Sequence, residues 1–169
     1  SDVAALLNIT PDHLDRYDDF AGYAFSKGRL FAMQSAGQFA VFGCGDAPTN
    51  AVKAAEAGRR AEGRVVCVDK PPLAEIQDRA PALQGPHNLE NIAAAIALVE
   101  ELGLSAQQWR PALESFRGLP HRMEVVREHK GVLFINDSKA TNQASAAPAL
   151  AAFPPAPNPR WNNSALPPA

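Results

Sequence analysis

Three polar clusters interrupt the apolar elements of this sequence, and each combines residue types that chemistry on phosphates or carbonyls would need. The first is Asn8-Ile9-Thr10-Pro11-Asp12-His13-Leu14-Asp15-Arg16. Here His13 could bind a metal or donate to an oxyanion; the alternative is a plain helix start, with Thr10 or Asp12 as cap and His13 exposed. Lys27 follows fourteen residues after His13, in an apolar stripe with Tyr23 and Phe31. An amine held there with a depressed pKa could take up carbon dioxide and become an anionic, metal-binding carbamate. The alternative is an ordinary solvent-facing lysine. The second cluster is Gly85-Pro86-His87-Asn88-Leu89-Glu90-Asn91 at the front of a helix. Asn88 and Asn91 share a face there, and their amides can read the donors and acceptors of a nucleobase. Capping accounts for one of these asparagines but not both. The third pairs Gly118-Leu119-Pro120-His121-Arg122-Met123-Glu124 with Ile135-Asn136-Asp137-Ser138-Lys139-Ala140-Thr141-Asn142. Asp137 could accept ribose hydroxyls, Arg122 could bind phosphate or stack on a base, and Lys139 could neutralise phosphoryl charge. A plain turn has little need of so many polar side chains.

The elements that would position these clusters alternate. Val3–Ile9 reads as a buried strand stopped by Pro11, and Phe20–Ala36 as a helix. Gln38–Cys44 reads as a strand, Ala51–Ala61 as an alanine-rich helix and Arg64–Asp69 as a strand. After an irregular connection from Lys70, His87–Leu102 is a strong amphipathic helix with Gly103 as its left-handed cap. Ser105 and Gln108 form a capping-box pattern for a helix to about Phe116. Met123–Glu128 and Val132–Asn136 read as strands around a turn at His129-Lys130-Gly131, followed by a short helix to about Ala152. Strand and helix in alternation predict an α/β domain with a mostly parallel sheet. Polar residues after strand ends are then where ligands bind. The proline-rich stretch beyond is expected to be disordered.

The composition narrows the function. In 169 residues there are 16 Lys and Arg against 18 Asp and Glu, for a formal net charge of -2. That leaves no basic footprint for nucleic acid and no polybasic membrane patch. No apolar run approaches the ~20 residues that cross a bilayer. Cys44 and Cys67 each sit in an apolar run and read as free buried thiols, which suits a reducing cytoplasm. The chain begins at Ser1 with what reads as the end of a strand, and is expected to be a fragment of something longer.

Taken in order and spacing, the four blocks beginning at Asn8, Gly85, Gly118 and Asn136 resemble the Mur ligases over about residues 1–155. The last two blocks point to the D-glutamate-adding branch of that family. The resemblance implies that residues 1–118 are the second half of a P-loop-type central ATPase domain. Residues 119–155 would open a Rossmann-like C-terminal domain, with 156–169 a tail. It implies an ATP- and magnesium-dependent, cytoplasmic ligase of peptidoglycan precursor synthesis. That enzyme joins D-glutamate to UDP-N-acetylmuramoyl-L-alanine through an acyl phosphate. By the same resemblance His13 and carbamylated Lys27 are metal ligands, and Asn88, Asn91, Arg122 and Asp137 bind nucleotide. Lys139 lies by the reacting centre, and Asp12 and Thr141 near the amino-acid substrate. No Gly-x-x-x-x-Gly-Lys-Ser/Thr loop occurs in the sequence, so this chain alone is expected to be inactive. The parent would be a monomer, whereas the open edge of an incomplete sheet predicts self-association of the fragment. Two other readings stay open: a tripeptide-adding or folylpolyglutamate-type ligase, and a non-catalytic nucleotide-binding module.

Overall fold

The computed structural model describes residues 2–11, 16–68 and 74–152. Three short strands, β1 (Val3–Leu6), β2 (Phe39–Gly43) and β3 (Val65–Val68), form a parallel sheet in the order β1-β2-β3. The register pairs Val3 with Phe39 and Ala40 with Val65. Parallel strands need long crossovers, and helices provide them. These are α1 (Phe20–Gly28), extended by a 3-10 turn over Arg29–Phe31, and α2 (Ala47–Arg59). Beyond β3 come the short α3 (Ala74–Gln77), a 3-10 turn at Pro81–Leu83, α4 (Pro86–Glu101) and α5 (Ala106–Ser115). An antiparallel hairpin of β4 (Glu124–His129) and β5 (Val132–Asn136) follows, then α6 (Gln143–Ala152).

Side chains alternate across a strand, so β2 feeds two cores. Ala40 and Phe42 pack with Ala4, Leu6, Tyr23 and Phe31 on the α1 and α2 side. Phe39 and Val41 pack with Val68, Ala93 and Ala94 on the α4 side. All five residues of β2 are buried, as expected for a strand covered on both faces. A third cluster joins Ile92 of α4 to Trp109 of α5, with Ile76 and Leu83.

The expected helix over Phe20–Ala36 ends early. Asp19 caps it by accepting from Gly22 N–H at 2.7 Å, but α-helix gives way to a 3-10 turn after Gly28. Arg59 and Arg60, at the end of α2, then add bonds to the carbonyls of the turns that follow. Arg59 donates to Phe31 O and Gln34 O, and Arg60 to Ser35 O and Gln38 O.

The expectation of buried thiols fails for Cys67, which is exposed and whose Cα lies 6.0 Å from that of Cys44. Cys67 follows Val65 on the α2 side of β3, where Lys53 Nζ approaches both sulfurs, at 3.4 Å from Cys44 and 3.7 Å from Cys67. An apolar run reads as buried on both faces, but β3 is a sheet edge among the described residues.

Candidate functional site

The carboxyl ends of the parallel strands carry the site. Gly43 ends β2 so close to its neighbours that a Cβ there would lie 1.9 Å from Leu7 O and 2.2 Å from a Glu90 carboxylate oxygen. Only glycine lets β1, β2 and α4 meet this tightly. Asp46 then caps α2, accepting from Thr49 N–H at 2.7 Å and from the Thr49 hydroxyl at 2.8 Å. The same carboxylate accepts from Ile9 N–H at 3.3 Å, which ties the loop after β1 to the start of α2. The sequence reading started this helix at Ala51 and missed Asp46. Its signal was the cap pattern Asp46-x-x-Thr49, with Pro48 in the first turn.

At the front of α4, Gly85 has φ 91°, a left-handed conformation open to glycine. Asn88 is no cap. Its amide donates to Gln84 O at 2.8 Å and accepts from Asn91 Nδ2 at 3.1 Å, so the two asparagines act as one unit. The turn before β4 is held just as firmly. Asp137 accepts from Met123 N–H at 3.0 Å, Lys139 N–H donates to His121 O at 3.1 Å, and Asn136 Nδ2 lies 2.9 Å from His121 Nδ1. His121 and Met123 sit at φ 64° and 51°, which non-glycine residues rarely adopt. The two halves of the third cluster thus form one knot. Backbone strain of this kind persists only where surrounding bonds over-determine it.

These pieces surround a polar cleft of about 350 Å³. Asn8 and Thr10 come from the loop after β1, His87, Glu90 and Asn91 from α4, and Arg122, Asp137, Lys139 and Asn142 from the segments flanking the hairpin. A second groove of about 330 Å³, between α4 and α5, is lined almost wholly by apolar residues such as Ile96, Val99 and Trp109. Polar chemistry therefore belongs to the first. Of the residues singled out from sequence, Asn91, Arg122, Asp137 and Lys139 line the cleft. Asn88 stands behind Asn91, and Thr141 is exposed and outside the lining. Asp12 and His13 lie outside the described residues. Lys27 is exposed rather than inward-facing, with its Nζ 5.2 Å from the Tyr23 ring centroid. Its aliphatic stem can follow the apolar stripe while the amine reaches water.

The sequence reading gave His87 no role of its own, yet it lines the cleft, and its Nδ1 is buried without a partner. Burial, and next the Arg122 guanidinium, hold the imidazole below its ordinary 6.5, with Asp137 opposing them. The folded state thus favours the neutral ring. His87's contribution to stability is present above pH 6.5 and is lost as pH falls through the depressed folded value. Thermal melts between pH 7 and 5 should show a steeper loss in the unaltered chain than in His87→Asn. Identical slopes would contradict the depressed value.

The comparisons with known proteins agree on one family. Residues 1–64 match the Mur ligase middle domain. A UDP-N-acetylmuramoylalanine--D-glutamate ligase from Novosphingobium aromaticivorans is 60% identical over 90% of this chain and 34% of its own length. One from Sphingopyxis alaskensis is 53% identical over 94% of this chain and 36% of its own length. In fold, the chain is similar to MurF from Acinetobacter baumannii, with a TM-score of 0.66 and 21% identity over 87% of this chain and 36% of that one. On these matches the chain is similar to the Mur ligases, its residues 1–64 to their middle domain, and it spans about a third of the length of the curated relatives it matches.

Proposed function

We propose that this chain is part of an ATP-dependent ligase that joins D-glutamate to UDP-N-acetylmuramoyl-L-alanine, with the polar cleft as its nucleotide site. The observation that carries this reading is the convergence of Asn91, Arg122, Asp137 and Lys139, from three separate segments, on one cleft. The names of the relatives at 60% and 53% identity supply the amino acid. In this reading Asn91, braced by Asn88, reads the base, and Asp137 accepts ribose hydroxyls. Arg122 and Lys139 offset the charge that builds up when a carboxylate is phosphorylated and an amine then displaces phosphate. Thr141 and Asp12 would contact the amino-acid substrate. The same reading divides the chain near residue 118, placing the hairpin at the start of a C-terminal domain, and puts the enzyme in the cytoplasm. Among the described residues no helix is long and apolar enough to cross a membrane. Exposed Val125, Val126, Val132 and Phe134 on the hairpin support self-association of the chain.

The magnesium ion that such a ligase requires would shield the phosphates. Among the described residues no three His, Cys, Asp or Glu cluster to hold one. His13 lies outside them, and exposed Lys27 is not part of the cleft lining. The cleft's own cations and amides fit a nucleotide rather than a bare divalent ion.

The test is a chimera. Residues 2–152 of this chain replace the matching stretch of the Novosphingobium relative, and phosphate release is followed with UDP-N-acetylmuramoyl-L-alanine and a panel of amino acids. D-glutamate-dependent release is expected. Release with a different amino acid, or a well-folded chimera without activity, would overturn the reading. The 169-residue chain alone is expected to bind ADP weakly and to turn over no ATP.

A further inference from the structure

Among the described residues, His87 Nδ1 is the buried side-chain nitrogen or oxygen that has no hydrogen-bond partner. Leaving such a group unpaired costs about 1–3 kcal/mol, and most buried polar atoms avoid it. The ring is fixed on the first turn of a 16-residue helix, and the cleft it lines also holds Arg122, Asp137 and Lys139. Its neighbour Asn88 is already committed to Gln84 O and Asn91, so it cannot turn to satisfy the ring. Arg122 and Lys139 stand against Glu90 and Asp137 in the lining, but at the ring itself Arg122 outweighs Asp137, which favours an oxygen-rich acceptor over a second cation. Arg122 also opposes a charged imidazolium, so the ring meets that partner as a neutral donor.

We infer that His87 is a further ligand-contacting residue of the cleft, whose Nδ1–H donates a hydrogen bond to a phosphoryl oxygen of the bound nucleotide. This rests on the nucleotide reading above and adds a residue that the reading did not use. It also fixes the tautomer: Nδ1 carries the proton in the complex, and Nε2 does not.

Replacement by amides separates the two ring nitrogens. The amide nitrogen of Asn lies close to the position of Nδ1, and that of Gln close to the position of Nε2. The 169-residue chain and its His87→Ala, His87→Asn and His87→Gln variants would be titrated with ADP and with adenosine, following backbone amide shifts by NMR. The ADP Kd is expected to rise about 10-fold in the Ala and Gln variants, the worth of one hydrogen bond. It should stay within about threefold in the Asn variant, and adenosine affinity should be the same in all four. Equal loss in Asn and Gln, equal loss for adenosine and ADP, or no loss in Ala would each overturn the inference while leaving nucleotide binding intact. If the unaltered chain showed no ADP-dependent shifts at all, the nucleotide reading itself would fall. A readout without substitution is the two-bond 1H–15N spectrum of the His87 ring at saturating ADP. It should show the Nδ1–H tautomer, and the Nε2–H tautomer would overturn the inference.

Discussion

Replacing Arg60 with alanine is expected to lower stability by about 3–5 kcal/mol, the cost of leaving several buried acceptors unpaired at once. The Arg60 side chain is 0% exposed. Its Nε donates to Glu56 at 2.9 Å, and its other nitrogens reach Gln34 Oε1 at 2.7 Å and Gln38 O at 2.6 Å. The guanidinium carbon also lies 5.6 Å from the centroid of the Phe31 ring, itself fully buried. One side chain therefore joins α2 to the turn that leads into β2, and alanine would leave Gln34 Oε1 and Gln38 O without it, while Glu56 kept the more exposed Arg59 at 2.6 Å. For a chain of this size the loss corresponds to a fall in Tm of roughly 6–20 °C. Arg60→Lys should recover only part of it, because an ammonium cannot present the planar fork that reaches three acceptors at once. Thermal denaturation of the three proteins checks this. A Tm within 2 °C of the unaltered chain for Arg60→Ala, set against that expected fall, would show that the network carries no net stabilisation.

The second large effect concerns activity. In the active chimera, Asp137→Ala should lower kcat/KM by about 100-fold. That corresponds to two charge-assisted bonds to ribose hydroxyls at about 1.5 kcal/mol each. Part of the loss would be positional, since Asp137 also accepts from Met123 N–H and so holds the strained turn that carries Arg122. Asp137→Asn separates the two contributions. It keeps an oxygen for Met123 but removes the charge, so it should retain the native Tm while losing most of the activity. A kcat/KM within threefold of the parent in Asp137→Ala would remove Asp137 from the nucleotide site.

Much of this arrangement could be read from the residues. Each strand of the parallel sheet falls inside its expected run, because β2 is apolar on both faces and a short apolar run between turn residues has few other uses. The hairpin turn was legible from Lys130-Gly131, which take φ 50° and 75°. Gly103 takes φ 89°, as a left-handed cap requires. Of the polar residues singled out, Asn91, Arg122, Asp137 and Lys139 line one cleft. The length of α1 was not legible, because periodicity continues through Leu30 and Phe31 while the backbone has already tightened into a 3-10 turn. Nor was the exposure of Lys27, since spacing cannot separate a buried amine from one whose stem alone follows the stripe. Asp46 was legible as a cap, but its tie to Ile9 and the unpaired ring of His87 lay beyond local pattern for a common reason. Their significance comes from partners, or from the lack of one, across 37 residues and across segments that only the fold brings together.

The hydrogen-bond registers also set an order of assembly. β4 and β5 meet at His129 and Val132, whereas β1 must find Phe39 from Val3. A hairpin closes within about 1–10 μs, while long-range parallel pairing waits on a much larger loss of chain entropy. The knot of Arg122, Met123 and Asp137 should therefore be shaped early, beside its own hairpin. His87 and Asn91 reach their places only when α4 settles on the finished sheet. The cleft is then a late product of folding, and a pulse of hydrogen exchange should protect the hairpin amides before those of β1. Simultaneous protection would show that the two halves form as one cooperative unit.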